Sequence, residues 1–216
     1  MRSLLKISAI AVAMWAVLPA DAQIFDFESE TPTYVGPGPR PGALTSLSMT
    51  IDGVTVVITR SSGLPFDLVD NTSAGQTGKP PTWGGVSLDP FFAPTAGDYF
   101  IATFSHYVSG VSIDFGDYGG DTDHAFLSAF SGMGATGAFL GGDAALWTGT
   151  FPSFGFLTYT QLTPGIRSIA FGNLPGDDFV PSLFFDNLSL RGVAIPGPAA
   201  ALVFGVGLLG RRRRRS

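Results

Sequence analysis

Residues 48–59 read SMTIDGVTVVIT, and this stretch indicates the fold class of the chain. Asp52 and Gly53 stand between two runs in which apolar and polar side chains alternate. An Asp-Gly pair in that setting is the strongest short-range sign of a β-hairpin, because the tight turn needs two residues that accept a positive φ. We therefore predict two antiparallel strands joined at Asp52 and Gly53.

The same alternation continues through the rest of the chain. In residues 108–115, three apolar residues alternate with Ser112 and Asp114, which is typical of a strand with one buried face. Further strands are expected at spacings near ten residues, at 99–104, 124–131, 138–140, 155–160, 166–171 and 183–191. This spacing predicts an all-β chain folded as an antiparallel β-sandwich of jelly-roll type.

Composition agrees with many short strands joined by tight turns. The 216 residues include 19 Phe, 29 Gly and 16 Pro, and no helical periodicity extends beyond two turns. Residues 31–41 contain four prolines and are predicted to form a surface loop. Residues 61–94 show little alternation, and so long an irregular stretch indicates either a functional loop or a misread pattern.

The N-terminus carries an export signal. Residues 1–6 include Arg2 and Lys6, residues 7–18 are apolar, and Ala20-Asp21-Ala22 offers a small-x-small cleavage site. This layout predicts a signal peptide over residues 1–22, so we expect an exported chain. The folded body is expected to span residues 23–192, which is the size of one domain.

The C-terminus, residues 193–216, carries a membrane signal. Pro196, Gly197 and Pro198 precede an uncharged apolar run at 199–210 and five arginines, beginning with Arg211, Arg212 and Arg213. As a helix this run would extend about 18 Å, short of a hydrocarbon core of about 30 Å. Flanking residues and arginine stems that reach the headgroups lengthen it. We predict a short membrane-anchoring helix, with the body on the outer side of the membrane.

A signal peptide, an exported body and a tail of Pro-x-Pro, apolar run and polyarginine resemble the layout of bacterial PEP-CTERM sorting proteins. Gly197 stands where that family usually has a glutamate. The resemblance covers the tail alone. It implies an exosortase-type processing enzyme as partner, a transient membrane anchor, and a Gram-negative cell whose surface is rich in exopolysaccharide.

The charge of the body limits its partners. The two end segments hold seven of the 12 basic residues and one of the 17 acids, which leaves the body with 16 acids and 5 basic residues. Because nucleic-acid binding needs clustered Lys and Arg, no nucleic-acid partner is expected. Calcium or a neutral partner suits such a surface better. The chain has no cysteine, which excludes disulfides and thiolate zinc sites.

Three motifs resemble the first, central and last strands of jelly-roll domains of the carbohydrate-binding-module type, namely FDFE at 25–28, SIDFGD at 112–117 and FFDNLSL at 184–190. In such domains the terminal strands are neighbours and often hold a structural calcium. The resemblance implies Glu28 and Asp186 as calcium ligands, with Asp26 as a further candidate. Calcium binds six to eight oxygens and would offset repulsion between these carboxylates. The alternative is that the three acids are solvated strand residues.

A denser acidic group lies within DFGDYGGDTDH, residues 114–124, and comprises Asp114, Asp117, Asp121 and Asp123. Its glycines would let the carboxylates converge, but the spacing does not match an EF-hand loop. The commoner alternative is a polar hairpin turn. His124 is expected to begin the next strand.

Enzyme signatures are lacking in the sequence. It contains no G-x-S-x-G or H-E-x-x-H motif, and its two histidines are His106 and His124. Many acids offer candidate carboxylate pairs for a glycosidase, but none is singled out. We therefore expect a protein that is not an enzyme.

Sugar binding needs exposed aromatic rings, on which the apolar C–H face of a sugar stacks. Trp83, in the irregular stretch, is the first candidate, followed by Trp147 and then by Tyr118 and Tyr107; packing inside the fold is the alternative for each. We expect a protein of the cell surface or extracellular matrix that binds or organises polysaccharide. The alternatives are a purely structural matrix protein without a specific ligand and an extracellular glycoside hydrolase.

Overall fold

The computed structural model describes residues 22–34, 42–70, 83–89, 97–117, 122–148, 153–174 and 183–194. Within these ranges the chain forms twelve β-strands and no helix. The strands are β1 (Gln23–Phe25), β2 (Leu47–Ile51), β3 (Val54–Arg60), β4 (Asp67–Asp70), β5 (Val86–Asp89), β6 (Phe100–Val108), β7 (Gly110–Asp117), β8 (Thr122–Phe130), β9 (Phe139–Thr148), β10 (Ser153–Thr160), β11 (Ile166–Asn173) and β12 (Phe184–Arg191).

The strands form two six-stranded antiparallel sheets. The front sheet has the order β10-β7-β12-β5-β4, with β1 also paired to β12, and the back sheet has the order β2-β3-β6-β11-β8-β9. The prediction of an all-β chain with two antiparallel sheets is confirmed. Residues 1–21 and 195–216, which carry the predicted signal peptide and sorting tail, lie outside the described residues. In the part that is described, no helix is long and apolar enough to cross a membrane.

The predicted hairpin is confirmed as β2 and β3. Ile51 pairs with Val54, and Asp52 and Gly53 have φ values of 49° and 78°. Two consecutive positive φ angles are what a tight two-residue hairpin turn requires, so the Asp-Gly pair matches the twist of its strands.

Phenylalanine fills the space between the sheets. Phe100 and Phe171 of the back sheet stack with ring centroids 5.5 Å apart, and Phe185 of the front sheet meets the edge of Phe171 at 5.0 Å. All three are buried, as are Phe25, Phe27, Phe66, Phe104 and Phe115. Burying such a ring contributes roughly 1.5–3 kcal/mol, so these rings supply much of the stability that disulfides cannot.

Of the two interpretations of residues 61–94, the structure favours a misread pattern, because the stretch contains β4 and β5. Asp67, Leu68 and Val69 are all buried, as are all four residues of β5. A strand that is covered on both faces shows no alternation, which explains why the pattern was not recognised. Residues 26–34 and 83–85 supply the outer cover, with Tyr34 and Trp83 against Val69.

The two sheets also meet along one side, where β9 and β10 are the edge strands. The Tyr159 hydroxyl donates to the Leu140 carbonyl at 2.5 Å, and the Thr158 amide donates to Asp143 Oδ2 at 2.9 Å. These contacts close that side of the sandwich. β9 also extends far beyond the three residues predicted for it.

Candidate functional site

The outer face of the front sheet carries aligned rows of side chains. β7 lies between β10 and β12, and their registers make Phe156, Asp114 and Asp186 successive partners across three strands. These side chains point outward, since Ile113 and Phe185 beside them in the chain point into the core. The two flanking rows comprise Phe154, Gly116 and Phe184 on one side and Thr158, Ser112 and Ser189 on the other.

Phe156 is the exposed aromatic residue of this face. Its side chain is 66% exposed although it lies in the middle of a strand, next to Asp114. An exposed ring beside a carboxylate combines an apolar surface with a hydrogen-bond acceptor. This pairing suits a ligand that has both C–H and hydroxyl groups.

Asp186 is fully buried, although it belongs to the outer row. Its Oδ2 accepts the Gly84 amide at 3.1 Å and its Oδ1 accepts the Asn187 amide at 2.7 Å. Burial, together with the negative charges of Glu28 and Asp114, raises the pKa of Asp186 to about 7, against the opposing effect of the two amide hydrogen bonds. This carboxyl group therefore changes between its protonated and ionised forms near neutral pH.

Glu28 reaches the same place from the chain that follows β1. Its Oε1 accepts the Val86 amide at 2.9 Å. The approach requires glycine at position 84, because a Cβ there would lie 1.7 Å from Glu28 Oε1. The structure thus brings together Glu28 and Asp186, two of the three acids expected to bind calcium.

The third candidate, Asp26, forms a hydrogen bond with the main chain instead. It is exposed, and its Oδ1 accepts the Glu28 amide at 3.2 Å. Over the described ranges, no group of three or more His, Cys, Asp or Glu side chains is arranged to hold a metal ion. Glu28 and Asp186 alone fall short of the six to eight oxygens that calcium prefers, so these side chains do not complete a calcium site.

Asp114 is half-buried between Phe156 and Asp186. Burial raises its pKa, while a hydrogen bond of 2.9 Å from Asn187 Nδ2 to its Oδ2 acts in the opposite direction. Asn187 has a φ of 50° and lies where the β12–β7 register shifts between Asp186 and Ser189. This bulge turns Asn187 toward Asp114, which is a common role of bulges at functional sites.

The expectation of an exposed platform at Trp83 is wrong. Trp83 is 4% exposed and packs in a small cluster with Val69 and Phe184 on the outer side of the front sheet. Its ring meets the Phe154 ring at 5.0 Å. Trp83 lies in an irregular stretch, as predicted, but that stretch folds onto the sheet.

Of the other aromatic candidates, Tyr107 alone has a described side chain. Trp147 belongs to β9 of the back sheet, where its backbone pairs with Asp123, and its side chain lies outside the described part. Tyr118 lies outside the described residues altogether. Tyr107 is exposed, but on the back sheet, with the Arg167 guanidinium 5.2 Å from its ring centroid.

The hairpin expected within residues 114–124 is also wrong. β7 pairs with β10 and β12 in the front sheet, whereas β8 pairs with β9 and β11 in the back sheet. Asp114 and Asp123 therefore belong to different sheets. Asp123 is buried and accepts a 2.9 Å hydrogen bond from Asn173 Nδ2, while Asp121 lies outside the described residues. His124 lies in β8, near its start as predicted.

Phe156 was not among the candidates, although a signal for it exists. In residues 153–160, SFGFLTYT, Phe154, Phe156 and Thr158 alternate with the buried Leu157 and the partly buried Tyr159. A phenylalanine on the polar side of an alternating strand is a mark of an exposed ring.

No family model matches this chain, and no curated protein matches its sequence. Its structure resembles the K2 cleaved adhesin domain of Lys-gingipain, with a TM-score of 0.50 and 14% sequence identity, over 79% of this chain and 99% of that domain. This likeness shows a shared fold.

Two further solved structures have lower scores. The K3 cleaved adhesin domain of Lys-gingipain from Porphyromonas gingivalis has a TM-score of 0.42 and 14% identity, over 80% of this chain and 98% of that one. The CBM22-1 xylan-binding domain from Paenibacillus barcinonensis has a TM-score of 0.43 and 13% identity, over 83% of this chain and 98% of that one.

Proposed function

We propose that this chain is a polysaccharide-binding protein, without enzymatic activity, of the cell surface or extracellular matrix. Its body is a β-sandwich of jelly-roll type, and the ligand lies on the outer face of the front sheet. Export through residues 1–22, and sorting by an exosortase-type enzyme through Pro196, Gly197, Pro198 and the arginines that follow, complete the proposal and rest on the sequence. The fold shared with a domain named an adhesin accords with a surface role.

The observation that carries the proposal is the exposed Phe156 ring beside Asp114. A sugar ring offers apolar C–H groups to an aromatic face and hydroxyl groups to a nearby carboxylate. Thr158 and Ser112 lie in the next row; the Thr158 hydroxyl donates to the Val111 carbonyl at 3.2 Å and can still accept a hydrogen bond from a sugar hydroxyl. The sheet backbone holds all four residues in fixed register, so little order has to be gained on binding.

The charge of this face favours a neutral polysaccharide. Asp114, Asp186 and Glu28 lie together, and the charges of Glu28 and Asp114 oppose ionisation of Asp186. A polymer of uronic acids or sulfated sugars would add to this repulsion. A polymer of neutral sugars has no such cost.

The same residues bear on the hydrolase alternative. Asp114 and Asp186 are adjacent carboxyl groups, and a raised pKa of one member is typical of glycosidases. Asp186, however, has no exposed surface, and both of its oxygens accept main-chain amides. A general acid must reach the glycosidic oxygen, so this arrangement favours binding over hydrolysis.

Binding is tested with the full chain and a panel of neutral and anionic polysaccharides, with Phe156→Ala as the test variant. The matched control is Phe139→Ala, because Phe139 is similarly exposed, at 63%, but lies on the back sheet. We expect saturable binding of a neutral polymer that Phe156→Ala abolishes and Phe139→Ala retains. Equal binding by both variants would place the ligand elsewhere. A folded chain that binds no polymer would favour the structural matrix alternative.

Calcium is the remaining part of the proposal. Glu28 and Asp186 are close enough to interact electrostatically, which is the precondition for a shared ion. Main-chain oxygens or residues outside the described ranges would have to supply the other ligands. No step of the proposed binding depends on calcium.

A further inference from the structure

Several segments of the described chain meet at one end of the sandwich, which we call the exit end. They include residue 109 between β6 and β7, residues 131–138 between β8 and β9, residues 161–165 between β10 and β11, and residues 192–194 after β12. The Ala194 amide donates to the Tyr107 carbonyl at 2.8 Å, and the Gln161 amide donates to the Ser109 carbonyl at 2.8 Å. Beyond Ala194 the chain leaves the described fold.

Large apolar side chains are exposed at this end. Leu162 is fully exposed at the tip of its loop, and Met133 is exposed at the tip of the neighbouring one. Phe139 and Tyr107 are exposed on the adjoining ends of β9 and β6. Single exposed apolar residues are ordinary, but several at one end of a domain indicate a partner surface.

The loops that carry these residues are held in place. Gly165 donates its amide to the Val108 carbonyl at 3.0 Å, at the far end of the Leu162 loop. In the other loop, Ala135 donates its amide to Ser168 Oγ at 2.9 Å, and Ser168 Oγ donates to the Gly132 carbonyl at 2.6 Å. The side chains at the tips are thus presented outward and cannot easily fold back into the core.

Basic side chains lie among them. Arg191 is exposed at the end of β12, and Arg167 lies over the Tyr107 ring while its Nη1 donates to the Ser105 carbonyl at 2.6 Å. Asp52, at the tip of the β2–β3 hairpin, is a carboxylate exposed at the same end. Tyrosine and arginine favour the membrane–water interface, and leucine and phenylalanine on an exposed apolar surface insert at the boundary between headgroups and acyl chains.

The partner is inferred from the membrane-anchoring run that the sequence predicts beyond the exit end. Between Ala194 and the apolar run at 199–210 lie only four residues, so the two ends are at most about 18 Å apart when the chain is fully extended. If that run enters a bilayer, the exit end is held within this distance of the headgroups. We propose that the exit end lies against the outer surface of the lipid bilayer, with Leu162, Met133 and Phe139 inserted among the headgroups.

This arrangement leaves the proposed binding face free. Phe156 lies in the middle of β10, away from the strand ends that form the exit end. In the anchored protein the strands of the front sheet would therefore run roughly along the membrane normal. The outer face of that sheet would remain open to a polymer. The inference rests on the membrane-anchoring tail of the proposed function, but it concerns a different surface from the polysaccharide site and can fail separately from that site.

The test uses the full chain in vesicles of zwitterionic and anionic phospholipid. Because the natural sequence has no cysteine, single substitutions can be labelled without removing a native thiol. Leu162→Cys and Met133→Cys would carry an environment-sensitive fluorophore at the exit end. Leu174→Cys is the control, because Leu174 is exposed just after β11, at the opposite end.

We expect a blue-shifted, several-fold brighter emission from the labels at 162 and 133 on adding vesicles, and quenching by spin-labelled lipid. The label at 174 should show neither effect. The proposal is overturned if the labels at all three positions respond alike, or if the chain does not bind vesicles. It is also overturned if the labels at 162 and 133 become shielded without lipid quenching, which would indicate contact with a second copy of the chain.

Discussion

Asp114 and Asp186 are directly paired across β7 and β12, and Asn187, the next residue in the chain, donates to Asp114. Two neighbouring carboxyl groups thus lie beside the bulge in β12. Glu28 adds a third negative charge nearby. Like charges in such proximity oppose ionisation. The protonation state of this face is therefore coupled to the stability of the fold.

Stability should fall as pH rises from about 4 to about 7. Over this range the folded chain retains a proton on Asp186, whose pKa is about 7, while the unfolded chain has lost it at the ordinary value of 3.8. This difference in the pKa of Asp186 corresponds to a loss of about 4 kcal/mol at most in the free energy of unfolding. The loss is complete above pH 7. Asp186→Asn removes this titration, so its free energy of unfolding should change less between pH 4 and pH 8. Denaturant unfolding at several pH values measures this.

The control for that experiment is Asp52→Asn, which changes an exposed carboxylate in the hairpin turn. This variant should retain the pH dependence of the natural chain. An Asp186→Asn variant with the same pH dependence as Asp52→Asn would contradict the expected coupling.

Trp83 and Phe156 should respond to truncation in opposite ways. Trp83→Ala leaves a cavity beside Val69 and Phe184, and we expect a loss of about 3–5 kcal/mol in stability. Phe156→Ala removes an exposed ring and should change stability by no more than about 0.5 kcal/mol. Thermal or urea unfolding of both variants checks this, and a Trp83→Ala variant as stable as Phe156→Ala would contradict the packing described for Trp83.

The buried ion pair between Arg60 and Asp98 should be necessary for folding at neutral pH. Both residues are buried, and Asp98 also accepts hydrogen bonds from the Ser61 and Ser62 hydroxyls at 2.6 Å and 2.7 Å. Asp98→Asn leaves the guanidinium buried without its counter-ion, and we expect a cost of about 3–5 kcal/mol. Ser62→Ala, which removes the hydrogen bond to Asp98 and the one that the Leu64 amide donates to the Ser62 hydroxyl but keeps the ion pair, is the milder control at about 1–2 kcal/mol. Urea unfolding at pH 7 compares them.

The ion pair between Arg60 and Asp98 also affects how the stability of the fold changes in acid. Burial opposes ionisation of Asp98, but the hydrogen bonds from Ser61 and Ser62 and the charge of Arg60 together lower its pKa. Because the pKa of Asp98 is lowered in the folded state, its ionised carboxylate stabilises the fold at pH values above the ordinary pKa. This stabilisation is lost as the pH falls through the lowered pKa. The natural chain should therefore lose stability in strong acid, and Asp98→Asn should lose less.

Calcium binding, if Glu28 and Asp186 share an ion, should raise the melting temperature of a metal-stripped chain. Calcium would relieve the repulsion between the two carboxylates, so the increase should disappear in Asp186→Asn and grow as pH rises above 7. Scanning calorimetry in calcium and in chelator measures it. An identical melting temperature in both would remove calcium from the proposal.

Local patterns in the sequence predicted the strands whose two faces differ. The Asp52-Gly53 hairpin and the alternation around Ile113 were recognisable because one face of each strand is buried and the other exposed. β4 and β5 were not recognisable, since an outer layer covers them as well. That layer consists of residues 26–34, after β1, and residues 83–85, before β5. Only the tertiary fold brings these residues against the sheet.

The candidate site was predicted in part. The proximity of Glu28 and Asp186 was expected from a resemblance in the terminal strands, and the structure places the two together. Phe156 and Asp114 were not connected in advance, because they belong to strands far apart in sequence. Trp83 was misjudged for a related reason: its burial depends on Phe154 and Phe184, which the chain supplies much later.

The position of β12 determines how the fold would respond to a mechanical pull. β12 leads directly to the point where the chain leaves the fold, and it is bordered by β7 on one flank and by β1 and β5 in succession on the other. A force applied at Ala194, and resisted at the front sheet, acts along β12 and shears the hydrogen bonds of both flanks at the same time. Bonds sheared together share the force, whereas bonds peeled one after another do not. The last strand is therefore placed where a tethered protein under tension resists extraction best.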